Sequence, residues 1–509
     1  MVAQSASELQ SRAIKGSMWT SLQAILSVPI AFAANAIIAR ALGVADYGSL
    51  ALLTVVFSLG TQIANFGVSA ATVQWGAAAE GSGRTRDTDT LLQRATGFHV
   101  AVELPMLLAL VVILTRGQPL WTLVALATAT TFSCYLSGAV LSLSVENRTA
   151  ASAKLAFGGS LVNTSVTVAV GLATHSPAAV WAIRTVMPYL GLPVVLLLLD
   201  RRRRRAVLRP RLPRFDSQFW RFALLIWLGG LVGSLVFSRS EVVLLRLMHK
   251  PTALGVFALA FGLGQQITAP ADAILGSLLP AIAGLLEAHP QRAAEALTRA
   301  LRVSTVLCGL VLAAALPTVV FAVPVVYGSG FREAGWVLLP LAVTSCVQSA
   351  NNPITAFIEG RRLGAVILTT NVVALVVDVV VAVALIPALG VWGAVIANVA
   401  GQAIALGLLA REELRRSELT RSELVTLYEP LALGTIVGTV GVTVGWLALG
   451  TIGDVGASAV AAVLGLLGYL VVLRTRGVGL AESDRDSLVR AMPASRQARV
   501  KSLLSVVTR

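Results

Sequence analysis

The chain has 509 residues, of which 56% are hydrophobic and only 13% are Asp, Glu, Lys or Arg. That charged share is about half of what a soluble domain carries, and the apolar share is far too high for a disordered chain. A membrane protein with many spans remains, and the net charge of +15 must be read by its placement before any acidic partner is inferred.

Cys134, Cys308 and Cys346 lie inside apolar runs, and His99, His175, His249 and His289 are scattered. Neither set has metal-ligand spacing, so no disulfide framework, metal site or cofactor is expected. The first 17 residues are polar, and the run that follows is long enough to span the bilayer, so it reads as a first membrane helix and not as a cleaved leader.

With about 20 apolar residues needed per span, fourteen candidates follow in order. The first six are Met18–Ile38, Gly48–Ala70, Thr96–Leu114, Leu120–Leu141, Leu155–Ala173 and Ala178–Leu199. A basic segment with Arg201 to Arg205 in a row comes next. The remaining eight are Phe219–Ser238, Gly255–Gly284, Val303–Val325, Val337–Ile358, Leu363–Ile386, Val391–Leu409, Pro430–Leu449 and Ala457–Leu473. The expected organisation is an N-terminal six-helix bundle (1–200), a basic linker (201–218) and a C-terminal six-helix bundle (219–410). A cytoplasmic loop (411–429), two additional helices (430–473) and a basic tail (474–509) complete it.

If the N-terminus is inside, thirty-three of the forty Lys and Arg fall on inner segments. Four fall outside: Arg40, Arg116, Lys250 and Arg332. The asymmetry predicts an inner (plasma) membrane protein with both termini cytoplasmic. It accounts for most of the charge without nucleic acid, and Arg201–Arg205 reads as a clamp against anionic headgroups.

A faint repeat links Ala39–Leu52 (ARALGVADYGSLAL) with Arg246–Ala260 (RLMHKPTALGVFALA). The two lie six spans apart, in the same orientation. A parallel repeat about the membrane normal is an arrangement of alternating-access transporters.

Several segments resemble the polysaccharide-transporter (Wzx-type oligosaccharide flippase) family of the MOP exporter superfamily, with lipid II flippases and MATE exporters as more distant relatives. Ala39-Arg40-Ala41-Leu42-Gly43 followed by Asp46, Tyr47 and Gly48 is similar to the family's hairpin signature after the first span. Asn65-Phe66-Gly67 resembles its D/N-x-G element, and Leu279-Pro280-Ala281 its exit from the eighth span. Gly390–Ala397 resembles its opening of the twelfth span. Glu241 stands where the family usually carries Asp, and Phe257 where it carries Tyr. The resemblance implies an all-α membrane fold of about fourteen helices, two six-helix bundles related by a parallel pseudo-two-fold plus two C-terminal helices. It also implies a lipid-linked glycan as substrate, membrane lipids around it, H+ or Na+ as coupling ion, and glycan polymerase or glycosyltransferase proteins as partners.

There is no P-loop and no nucleophile elbow, so no enzyme is expected. The informative residues are charges inside spans, each costing about 2.5–3.5 kcal/mol at a lipid-facing midplane. They are Glu103, Arg184, Arg239, Glu241, Asp272 and Asp378. Arg184, Arg239 and Arg40 are candidates for the substrate headgroup, since a guanidinium fork matches phosphate. Glu103, Glu241, Asp272 and Asp378 are candidates for ion coupling or buried charge pairing. Gly43, Asp46, Tyr47 and Gly48 build a hairpin corner. Other readings stay open: a MATE-like drug/cation antiporter, or a non-transporting scaffold or scramblase of an envelope assembly complex.

Overall fold

The structure is a computed structural model that describes residues 6–146, 149–238, 240–276, 293–361, 363–416, 420–482 and positions 485, 505 and 508. Arg239, the Leu279–Ala281 motif, the end of the eighth expected span and most of the basic tail lie outside the described residues. Among the described residues every element is helical, as unpaired backbone in hydrocarbon requires.

The chain divides into two compact units, 1–235 and 236–509. The first holds α1 (Ala6–Asn65), α2 (Val68–Gly81), α3 (Thr85–Phe98), α4 (Leu104–Leu114) and α5 (Leu120–Val145). It continues with α6 (Thr149–Thr174), α7 (Pro177–Val186), α8 (Leu192–Leu198), α9 (Arg201–Leu208) and α10 (Ser217–Ser238), the last as far as Leu235. The second holds α11 (Ser240–Leu247), α12 (Pro251–Gly276), α13 (Ala293–Tyr327), α14 (Arg332–Gly360), α15 (Gly364–Leu389), α16 (Val391–Arg416) and α17 (Arg421–Arg476). Residues 219–235 of the seventh expected span therefore lie with the first unit, whereas the sequence reading places that span in the C-terminal bundle.

Twelve helical stretches among the described residues are long and apolar enough to cross a membrane. The first, Leu26–Asn65, covers most of the first two expected spans. They are separated at Gly43, whose φ of 76° and ψ of 175° break the helix at the hairpin signature. This combination is open essentially to glycine alone. Gly453 repeats it (φ 68°, ψ 176°) inside α17, between the last two expected spans. The tenth expected span lies in α14, a 29-residue helix that falls outside the twelve and carries Ser345, Ser349, Asn351 and Asn352 on buried or half-buried positions.

Packing in each unit follows from small residues that let backbones meet. In the first unit Asn65 ends α1, Phe66 (φ 48°) and Gly67 (φ 74°) turn left-handed, and α2 begins. A Cβ on Gly67 would sit 2.1 Å from the carbonyl oxygen of Ala223 on α10, so only glycine admits that approach. In the second unit α17 packs along α13, where a Cβ on Gly434 would lie 2.2 Å from the carbonyl of Gly309. The outer faces carry the lipid-facing side chains. On α15 Val376, Val380 and Val383 are half or more exposed, while Asn371, Ala374, Asp378 and Ala382 form the buried stripe at helical spacing.

The run Arg201–Arg205 differs from its expected role. It forms α9, and Arg203 is 5% exposed. Its guanidinium donates to Glu80 of α2 (2.5 Å), Asp89 of α3 (2.6 Å) and Glu146 just after α5 (3.1 Å). Arg202 also donates to Asp89. Burial works against the charge of Arg203, but the hydrogen bond and charge of Glu80, with Asp89 and Glu146, outweigh it and hold the group above its ordinary pKa. Arg203 thus ties the ends of three helices together instead of facing headgroups, while Arg202 stays half exposed beside Asp89 of α3.

Candidate functional site

The second unit gathers two of the acidic residues singled out in the sequence, Glu241 and Asp378. Glu241 sits in the first turn of α11, and Asp378 in the buried stripe of α15; both are 0% exposed. Ser240 joins them: its Oγ lies 2.5 Å from Asp378 Oδ2 and 3.1 Å from Glu241 Oε2. From α16, Asn398 Nδ2 donates to Glu241 Oε1 at 2.6 Å, and Gln402 Nε2 donates to Asn398 Oδ1 at 2.7 Å.

Counting hydrogens constrains this cluster. The Ser240 hydroxyl has one proton and stands between two carboxyl oxygens, so it donates to only one of them. The other contact is satisfied when that carboxyl is itself protonated and donates to Ser240 Oγ. Among the described residues Asp378 Oδ1 is buried without a hydrogen-bond partner. Two buried carboxyls with donors for fewer than all their oxygens suit one shared proton or one small monovalent cation.

Asp272 is separate. It is half-buried near the last described turn of α12 and accepts from Ser349 Oγ (2.5 Å) and Asn352 Nδ2 (3.2 Å) of α14, a hydrogen-bonded carboxylate within the second unit.

In the first unit Glu103 is 8% exposed and stands at the end of a π-helical turn, His99–Glu103, between α3 and α4. Such bulges open the backbone ladder and recur at functional sites. His99 Nδ1 is hydrogen-bonded to Glu103 Oε2, Asn65 Nδ2 lies 3.5 Å from the same oxygen, and Cys134 Sγ donates to the His99 carbonyl at 3.2 Å. The sequence reading gives His99 no role because the histidines are scattered, and the four-residue step from His99 to Glu103 is the signal that marks it.

Glu103 is thus engaged by His99 and Asn65. Arg184 is exposed on α7. Arg40 and Asp46 are exposed, Tyr47 is half-buried and Gly48 is buried.

A match to the polysaccharide biosynthesis protein family model covers residues 37–336. The chain belongs to that family. No curated protein matches the chain by sequence. The fold is similar to that of the lipid II flippase MurJ in an inward closed conformation, at TM-score 0.62 and 11% identity, over 89% of this chain and 97% of that one. It is also similar to an inward-facing multidrug resistance MATE family transporter of the MOP superfamily (0.54, 16%, 78% and 98%). A Vibrio cholerae MATE transporter gives 0.53 and 18%, over 81% of this chain and 98% of that one. The family member is therefore a multi-pass membrane protein with a MOP-superfamily fold.

Proposed function

We propose that this chain is a secondary flippase and not an enzyme. It moves a polyprenyl-linked oligosaccharide, or a related lipid-linked envelope-glycan precursor, from the inner to the outer leaflet by alternating access. The observation that carries the reading is the family match joined to the buried Ser240–Glu241–Asp378–Asn398 cluster. A family devoted to polysaccharide biosynthesis supplies the substrate class. Two carboxyls held in an apolar unit, far from any nucleotide motif, supply a place for a coupling ion. Two helical bundles are the moving halves, both termini face the cytoplasm, and Arg184 and Arg40 are the exposed cations offered to a pyrophosphate.

Neutralising one carboxyl changes how many charges the cluster holds. Reconstituted protein should flip a fluorescent lipid-linked glycan faster under an imposed proton or sodium gradient. Asp378→Asn and Glu241→Gln should flip at a rate indifferent to the gradient while still binding substrate. Gradient-independent transport by the unaltered protein would remove the coupling role of the cluster. Absence of any glycan transport, with extrusion of cationic drugs instead, would favour the antiporter reading, which the acidic cluster also suits.

A further inference from the structure

The first unit contains a cavity of about 330 Å3 whose walls include Gln62 and Asn65 at the end of α1, Glu103 of the π turn, and Trp227 and Gly230 of α10. At about 30 Å3 per water this is room for roughly eleven waters, or one hexose ring. We infer that it is a carbohydrate subsite that takes one pyranose ring of the glycan.

The polar groups are set in place by bonds to the protein itself. Trp227 Nε1 donates to the Gln62 carbonyl at 2.7 Å, and the indole stacks on Phe66 at 5.2 Å and 27°. The ring orientation is therefore fixed, and the indole contributes an apolar wall against which the C–H face of a sugar packs. Ser234 Oγ lies 2.8 Å from Gln62 Oε1 and 3.0 Å from the Leu231 carbonyl, and its one proton goes to one of the two. In either case the Gln62 amide is held at Ser234 and keeps at least one N–H without a partner among the described residues. At Glu103, His99 and Asn65 occupy Oε2, and Oε1 keeps no partner among the described residues. The cavity thus offers a fixed donor and a fixed acceptor beside an aromatic wall.

A hydroxyl both donates and accepts, so the hydroxyls of a pyranose satisfy Gln62 and Glu103 together. An organic cation would meet Glu103 but leave a Gln62 N–H unpaired, which a partly desolvated site penalises. Among the described residues neither Arg184 nor Arg40 lines this cavity, whose polar groups suit the hydroxyls of a neutral ring. The choice of a glycan as occupant rests on the flippase reading; the geometry does not.

Gly230 gives the test. A Cβ there would meet no atom within 4 Å, so a larger side chain fills the cavity without displacing the core. Saturation-transfer NMR on the full-length protein in nanodiscs would use methyl pyranosides of glucose, galactose, mannose, rhamnose and N-acetylglucosamine, with tetraphenylphosphonium as the cation probe. At least one pyranoside should receive saturation on its ring protons. The signal should vanish in Gly230→Leu and persist in Gly230→Ala. In Trp227→Ala binding should weaken roughly fivefold to tenfold through loss of the aromatic wall, and Trp227→Phe should retain most of it. A monodisperse elution profile and an unchanged melting temperature separate a blocked cavity from a misfolded protein. The inference is overturned if no pyranoside receives saturation. It is also overturned if Gly230→Leu binds as the unaltered protein does, or if Gly230→Leu and Glu103→Gln abolish only tetraphenylphosphonium binding. Glycan transport by Gly230→Leu at the unaltered rate would sink the subsite and leave the flippase standing. Pyranoside binding lost in Gly230→Leu, with no glycan transport by the unaltered protein, would do the reverse.

Discussion

Arg203→Ala removes the shared partner of three carboxylates that belong to different elements. Deleting one member of a buried ion pair costs about 3–5 kcal/mol, because the remaining charge keeps its desolvation penalty. The side chains of Glu80, Asp89 and Glu146 are 24%, 15% and 17% exposed, so water relieves part of that penalty, and Arg202 still reaches Asp89. The lower end, about 3 kcal/mol, is therefore expected. For a folding unit of 150–250 residues, roughly 2–4 °C per kcal/mol turns this into a fall of about 6–12 °C in the melting temperature. Arg203→Lys should recover about half, since one ammonium cannot reproduce a fork that reaches three acids. Glu146→Gln, which removes the charge from the longest of the three Arg203 contacts but keeps an accepting oxygen, should cost about 1 kcal/mol. Thermal unfolding of the detergent-solubilised chain, followed by size-exclusion fluorescence, measures all three. If Arg203→Ala melts within about 1 °C of the unaltered protein, the run at Arg201–Arg205 faces lipid headgroups and the clamp does not exist.

Gly67→Ala combines a left-handed backbone with a Cβ 2.1 Å from the Ala223 carbonyl, so a loss of about 3 kcal/mol or more is expected by the same thermal measurement. Gly43→Ala meets no neighbour and should cost only the backbone term, about 1–3 kcal/mol; equal losses at both glycines would refute the close approach of α2 and α10. Gly434→Leu should prise α17 from α13 and give an aggregated elution profile, whereas a monodisperse variant would show that their contact tolerates separation. Arg184→Ala should abolish glycan transport at normal membrane level, with Arg184→Lys partly active; full activity of the alanine variant would remove Arg184 from substrate binding.

Hydropathy is a one-dimensional property, so the spans were legible in the sequence. Each needs only enough consecutive apolar residues, and nothing distant changes that count. The corner at Gly43 was legible for a similar reason, since its backbone conformation is one that a side chain forbids locally. Glu241 and Asp378 also stood out as charges inside apolar runs, because hydrocarbon tolerates none without a purpose. Their meeting did not: Ser240 and Asp378 are 138 residues apart, and only the packing of α11, α15 and α16 brings their oxygens together.

The same limit hid His99, whose distance from the other histidines mattered less than the π turn that sets it on Glu103. It also misplaced Arg203 among headgroup-facing cations. A charge run looks the same whether water, lipid or three acids from other helices receive it, and only Glu80, Asp89 and Glu146 folding around it decide which. Sequence therefore determined which segments enter the membrane and where the chain turns, through preferences each residue carries alone. Tertiary structure decided which ionisable groups share a pocket, because pairing depends on distances of a few ångströms between helices that the linear order does not encode.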